Sequence, residues 1–92
     1  MNDLKDKKIL VTGASGGIGN AIVKRLNECN AKILATGTKI EKLEELKSKF
    51  TNIKILKFDI SQIEKIEEFI DKVSSELGGD LDCVINNAGI TQ

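Results

Sequence analysis

Four short, apolar, β-branched runs alternate with three longer stretches of helical period, and that alternation constrains the fold more than any other feature of the chain. The runs are Lys8-Ile9-Leu10-Val11-Thr12, Lys32-Ile33-Leu34-Ala35-Thr36, Asn52-Ile53-Lys54-Ile55-Leu56-Lys57-Phe58 and Leu81-Asp82-Cys83-Val84-Ile85-Asn86. Runs one, two and four have near-continuous apolar centres, as parallel strands covered on both faces require. The third alternates, which suits a sheet edge. The order βαβαβαβ with right-handed crossovers leaves few topologies, and strand order 3-2-1-4 in an α/β, doubly wound parallel sheet leads them.

The intervening stretches carry helix signals. After the first run, Ile18, Ile22 and Leu26 fall at i, i+4 and i+8. Thr38 and Glu41 make a capping box ahead of Ile40, Leu43 and Leu46, and Ser61 and Glu64 repeat it. Ile63, Ile66, Ile70, Val73 and Leu77 then form one stripe, with Glu64, Lys65, Glu67, Glu68, Asp71 and Lys72 on a solvated face. Gly78-Gly79 supplies the stop.

Composition removes several kinds of chemistry. The 92 residues contain no His, Tyr or Trp, so imidazole acid-base catalysis, a catalytic phenol and His-ligated metal sites have no residues here. Fourteen basic residues cancel fourteen acidic ones, which argues against nucleic-acid or membrane-surface partners. Cys29 and Cys83 form no C-x-x-C pair and read as small buried hydrophobes of a reducing compartment. No apolar stretch has the length of a signal peptide or membrane span, and a soluble, cytoplasmic protein is expected.

The informative segment is Thr12-Gly13-Ala14-Ser15-Gly16-Gly17-Ile18-Gly19, which follows the first run and opens the first helix. In that context Gly13 permits the tight strand-to-helix turn. Gly17 lets a pyrophosphate approach the backbone, and Gly19 lets the helix pack closely. Unpaired N–H groups and the helix dipole make an anion site to which Ser15 can add a donor. A P-loop would end in Gly-Lys-Ser/Thr, and Ile18-Gly19-Asn20 stands there instead. The end of the second run selects the nucleotide. Ala35-Thr36-Gly37-Thr38-Lys39 has no carboxylate to bond a ribose 2′-OH and repel a 2′-phosphate, so NADP(H) is favoured over NAD(H). Thr38 could also be simply the cap of the next helix.

On these motifs the chain resembles the short-chain dehydrogenase/reductase family over its whole length. The matches are Thr12, Gly13, Gly17 and Gly19 in the turn, Asp59 after the third run, and Asn86-Asn87-Ala88-Gly89 after the fourth. The resemblance implies a Rossmann-type fold with a cofactor-binding set of Gly13, Ser15, Gly16, Gly17, Ile18, Gly19, Thr38, Asp59, Ile60, Asn86, Ala88 and Gly89. Asp59 would meet the adenine edge, while Asn86, Ala88 and Gly89 would lie beside the adenosine ribose. Asn86 would equally serve to hold strands together.

Residues 11–15 and 87–91 look most like the 3-oxoacyl-(acyl-carrier-protein) reductases. That likeness implies NADPH-dependent reduction of an acyl-carrier-protein-bound substrate in fatty acid biosynthesis, by a homotetramer at full length. Other short-chain dehydrogenases, acting on a sugar, steroid or alcohol, and a non-catalytic nucleotide-binding module are the alternatives. Gly16 departs from the pattern, standing where NADPH users often carry Arg, whereas Thr38 matches a phosphate-contacting Thr. The family's catalytic Ser, Tyr-x-x-x-Lys pair and Asn would lie beyond Gln92. Residues 1–92 are thus expected to be the N-terminal NAD(P)-binding part of one domain, truncated after strand 4 and without catalytic residues. Strand 4 is then expected to be an open edge with Val84 and Ile85 short of neighbours, favouring association of the isolated chain.

Overall fold

The computed structural model describes residues 4–50, 52–58 and 65–87. It contains β1 (Lys8–Thr12), α1 (Gly17–Glu28), β2 (Lys32–Gly37), α2 (Ile40–Lys49), β3 (Lys54–Lys57), α3 (Ile66–Leu77) and β4 (Cys83–Asn86). The four strands form one parallel sheet in the order β3-β2-β1-β4, as the alternation predicts. Strands 3 and 4 are shorter than their apolar runs, because Asn52, Ile53, Leu81 and Asp82 serve the connections instead.

Because strand side chains alternate, the sheet feeds two cores. Ile9, Val11, Ile33 and Ala35 pack with Val23 and Leu26 of α1 and Leu43 and Leu46 of α2 on one face. Leu10 and Leu34 meet Phe69, Val73 and Leu77 of α3 on the other. Two helices therefore cover one face and one helix the other. The β4 edge is left sparsely covered: Cys83, Val84 and Asn86 are exposed and Ile85 is half-buried. Strand 4 is thus the open edge expected, with β1 its one strand neighbour among the described residues, whereas the reading of its apolar run as covered on both faces fails, since Cys83 and Val84 stand exposed. Cys83 is exposed with it and Cys29 is half-buried, so neither is the buried hydrophobe expected.

Helix faces depart from the simple stripes for identifiable reasons. In α1 the buried residues are Gly19, Val23 and Leu26, while Ile18 is 61% exposed and Ile22 half-buried. Close approach of Gly19 to the turn rotates the helix so that its contact line runs beside the Ile18–Ile22 row. The cap of α2 is Lys39, which makes no side-chain capping bond, so the Thr38/Glu41 capping box does not form. In α3, Val73 and Leu77 are buried as expected, and Phe69 joins them, its ring stacked on Phe58 with centroids 3.9 Å apart. Ile66 and Ile70 flank that line half-buried. Ser61, Ile63 and Glu64 lie outside the described residues.

Helix ends follow backbone chemistry. Gly78 adopts a left-handed conformation at φ 85°, and the Gly79 N–H donates to the Ser74 carbonyl at 2.9 Å, closing α3. Asn30, at φ 62°, plays the corresponding part after α1.

Candidate functional site

In an open parallel sheet, ligands collect outside the carboxyl ends of the strands, near the point where strand order reverses. In this order, 3-2-1-4, that point lies between β1 and β4, and the glycine turn leaves β1 beside it. Gly13 has φ 64°, a conformation that costs side-chain-bearing residues energy, so the chain reverses there. Its carbonyl accepts a hydrogen bond from Asn87 Nδ2 at 3.0 Å, and Ala14 N–H donates to the Thr36 carbonyl at 2.9 Å. The turn is therefore tied to the ends of both β4 and β2.

The glycines divide into two groups. A Cβ on Gly19 would collide with the Gly13 carbonyl oxygen and lie 2.5 Å from Ala14 Cα, so packing alone demands glycine there. Gly16 and Gly17 show no such need, since a Cβ on either would meet nothing within 4 Å. Gly16 is the N-cap of α1 at φ −94°, and it offers the helix no side-chain cap. Among the described residues, no protein acceptor takes the N–H groups of Ser15, Gly17 or Ile18. A helix N-terminus left bare on its open side attracts an anion through those donors and its dipole.

Beside the turn lies a cavity of about 220 Å³ lined by Thr12, Gly13, Ser15, Thr36, Gly37, Thr38 and Phe58. None of these residues carries a charge. Gly37 keeps it open, because a Cβ there would stand 3.0 Å from Ser15 Oγ. Thr38 is exposed at its rim, where freedom from the capping role leaves its hydroxyl available to a ligand. A cleft of about 540 Å³ opens at the amino ends of the strands, among Lys5, Asn27, Asn30, Lys32, Lys54 and Glu76. Size does not mark it as the site, for it lies at the end of the sheet away from the turn.

The structure thus brings together Gly13, Ser15, Gly16, Gly17, Ile18, Gly19 and Thr38. It sets Asn86 one strand over, where its Oδ1 accepts a bond from Thr12 Oγ1 at 2.9 Å across the β1–β4 pair. That contact is the strand-holding role open to Asn86. Asp59, Ile60, Ala88 and Gly89 lie outside the described residues. Three contributors stand outside the expected cofactor-binding set: Phe58 as a cavity wall, Asn87, part of the matched motif after the fourth run, as the tie to Gly13, and Asn20, whose amide reaches back into the turn. For Phe58, its place at the carboxyl end of the third run was an available signal. For Asn20 and Asn87 the partners are backbone carbonyls, which no residue pattern announces.

Residues 7–92 match the family model described as short chain dehydrogenase. The chain belongs to that family. Among curated proteins, the chain is 39% identical over 93 residues to nodulation protein G of Rhizobium sp. (strain N33), a match spanning 100% of this chain and 38% of that protein. It is 38% identical over 91 residues to an uncharacterized oxidoreductase of Staphylococcus aureus (strain USA300), spanning 97% and 39%. The chain therefore spans about two fifths of the length of these relatives. Among solved structures, a short chain dehydrogenase from Mycobacterium smegmatis superposes with TM-score 0.86 at 25% identity, covering 95% of this chain and 38% of that one. A short-chain dehydrogenase/reductase from Brucella melitensis, a glucose/ribitol dehydrogenase, superposes with TM-score 0.84 at 27% identity, covering 98% and 39%. The parallel sheet in order 3-2-1-4 is the arrangement these short-chain dehydrogenases share with this chain. Among the described residues, no helix is long and apolar enough to cross a membrane.

Proposed function

We propose that the chain is the nucleotide-binding part of an NADPH-dependent oxidoreductase that reduces a 3-oxoacyl thioester carried on acyl carrier protein. The observation that carries the cofactor reading is the division among the glycines. Gly16 and Gly17 are bare where nothing in the protein needs them bare, beside N–H groups without a protein acceptor. A pyrophosphate resting on Ser15, Gly16, Gly17 and Ile18 accounts for both facts. The adenosine would lie over the cavity between β1 and β2, with Thr38 and Lys39 at its far rim.

Preference for the 2′-phosphorylated form follows from charge. No carboxylate lines that cavity, and Thr38 and Lys39 offer a hydroxyl and a cation. Gly16 leaves the role of a clamping Arg unfilled at its own position, which places that burden on residues 38 and 39. When bound, the nicotinamide supplies hydride. The residues of this chain bind and orient the adenosine end, while the proton donor would come from the longer protein. The acyl-thioester substrate rests on the likeness of residues 11–15 and 87–91 to 3-oxoacyl-(acyl-carrier-protein) reductases, and it brings with it a cytoplasmic homotetramer that meets acyl carrier protein. A sugar or polyol substrate is the second reading, favoured by the likeness to the Brucella melitensis glucose/ribitol dehydrogenase.

Two assays on the full-length protein test this. NADPH should bind at least about tenfold more tightly than NADH, a difference of about 1.4 kcal/mol. NADPH oxidation should depend on an added 3-oxoacyl thioester. Equal or tighter NADH binding would overturn the cofactor preference, and turnover confined to polyols would replace the substrate.

A further inference from the structure

Asn20 sits on the first turn of α1, half-buried, with its side chain directed back toward the glycine turn. Its Nδ2 donates to the Ala14 carbonyl at 2.8 Å and to the Gly16 carbonyl at 2.9 Å. Both acceptors are carbonyl oxygens, so only the NH₂ half of the amide can satisfy them, and it spends both of its protons there. The Gly16 carbonyl also accepts the first helical bond, from the Asn20 backbone N–H at 2.9 Å. One residue therefore grips the turn by three hydrogen bonds.

The consequence follows from peptide planarity. In a trans peptide the C=O and the following N–H point in opposite directions across one rigid plane. Holding the Ala14 and Gly16 carbonyls toward Asn20 turns the Ser15 and Gly17 N–H groups to the side away from it. Both are among the donors that lack a protein acceptor within the described residues. They also flank Gly16, at which no atom would crowd an approaching group.

We propose that Asn20 is a positioning residue for the anion site: its amide locks the two alternate peptide planes of the turn so that Ser15 and Gly17 present their N–H groups to a diphosphate. The proposal rests on the reading of the turn as a pyrophosphate site and deepens it. Without the lock, the turn must be ordered by the ligand itself, and affinity falls by the cost of that ordering. The effect falls chiefly on ligands that carry the diphosphate, because only Gly13 and Ser15 of the seven residues lining the adenosine cavity belong to the turn, and Asn20 bonds none of the seven.

The test titrates ADP and adenosine into the full-length protein and its Asn20→Ala and Asn20→Asp variants by calorimetry. Asn20→Ala should weaken ADP about tenfold while changing adenosine less than about twofold. Asn20→Asp should weaken ADP further, because a carboxylate gives the turn no donor and repels both its carbonyls and the diphosphate. Unchanged ADP affinity in Asn20→Ala, or equal losses for ADP and adenosine, would overturn the proposal. If the unsubstituted protein gains nothing from the diphosphate, the pyrophosphate reading falls and this one with it. Tight ADP binding that survives Asn20→Ala sinks only the role of Asn20. Should either variant fold poorly, amide spectra of the unsubstituted protein decide. The Gly17 N–H resonance should move with ADP and stay with adenosine, and its indifference to ADP would refute the lock.

Discussion

Replacing Gly19 and Gly17 by alanine separates a glycine required by packing from one required by a ligand. At Gly19 the added Cβ would collide with the Gly13 carbonyl oxygen and stand 2.5 Å and 3.0 Å from Ala14 Cα and carbonyl carbon. All three are backbone atoms, so no rotamer change relieves the contact. Restoring an ordinary carbon–carbon separation requires α1 to retreat from the turn by roughly 1 Å, a gap that already forfeits a good part of the dispersion attraction along the interface. Val23 and Leu26, buried on the same helix, would lift with it. Overpacking of this kind costs about 2 kcal/mol. For a domain of this size that lowers the melting temperature by about 8–16 °C. Gly17 faces open space at the first helical position, where alanine is a better helix former, so the change there should be neutral or stabilising by up to about 1 kcal/mol. Nucleotide affinity should reverse the ranking, with Gly17→Ala losing binding although it melts no lower. Thermal unfolding monitored by circular dichroism, without and with NADPH, reads both effects. A Gly19→Ala protein melting within about 2 °C of the unsubstituted one would show that the close approach does not hold α1 in place.

Other expectations follow from the same contacts. Phe69→Ala removes a buried ring stacked on Phe58 and should cost about 3–5 kcal/mol in denaturant unfolding, and a cost below about 1 kcal/mol would show that the smaller core does little. Asn87→Ala deletes the bond to the Gly13 carbonyl and should destabilise by about 1 kcal/mol, with an unchanged midpoint counting against the tie. The β3 edge carries Lys54 and Lys57, whereas the β4 edge presents Cys83, Val84, Ile85 and Asn86 without a charge. Residues 1–92 produced alone should therefore self-associate, and Val84→Lys should reduce this in light scattering. A monomer with one sharp melt before substitution would contradict that account.

The topology was legible because it follows from few local signals. Apolar runs of strand length, separated by helical stretches, admit essentially one handed connection each, and the runs at residues 8–12 and 32–36 became adjacent central strands. The glycine turn was legible because its context, strand before and helix after, is itself local. Details set by tertiary contact were not. Ile18 matches the helical period and yet is exposed, because the approach of Gly19 to Ala14 sets the rotation of α1. Thr38 and Glu41 have capping spacing, but the helix begins after Lys39 and leaves Thr38 facing the cavity. Phe69 falls just off the regular stripe of α3 and is buried through its partner Phe58, which lies outside any strand. Cys83 belongs to an apolar run and still faces outward, because burial of that strand depends on neighbours the run cannot specify.

Mapping amide shifts on addition of NADPH tests the central claim most directly, since the two clefts lie at opposite ends of the sheet. The largest shifts should fall on Ser15, Gly16, Gly17 and Ile18, with Gly37 and Thr38 following, while Lys5, Asn27, Asn30 and Lys54 stay unmoved. Shifts concentrated among those last four residues, with the glycine turn silent, would contradict the account.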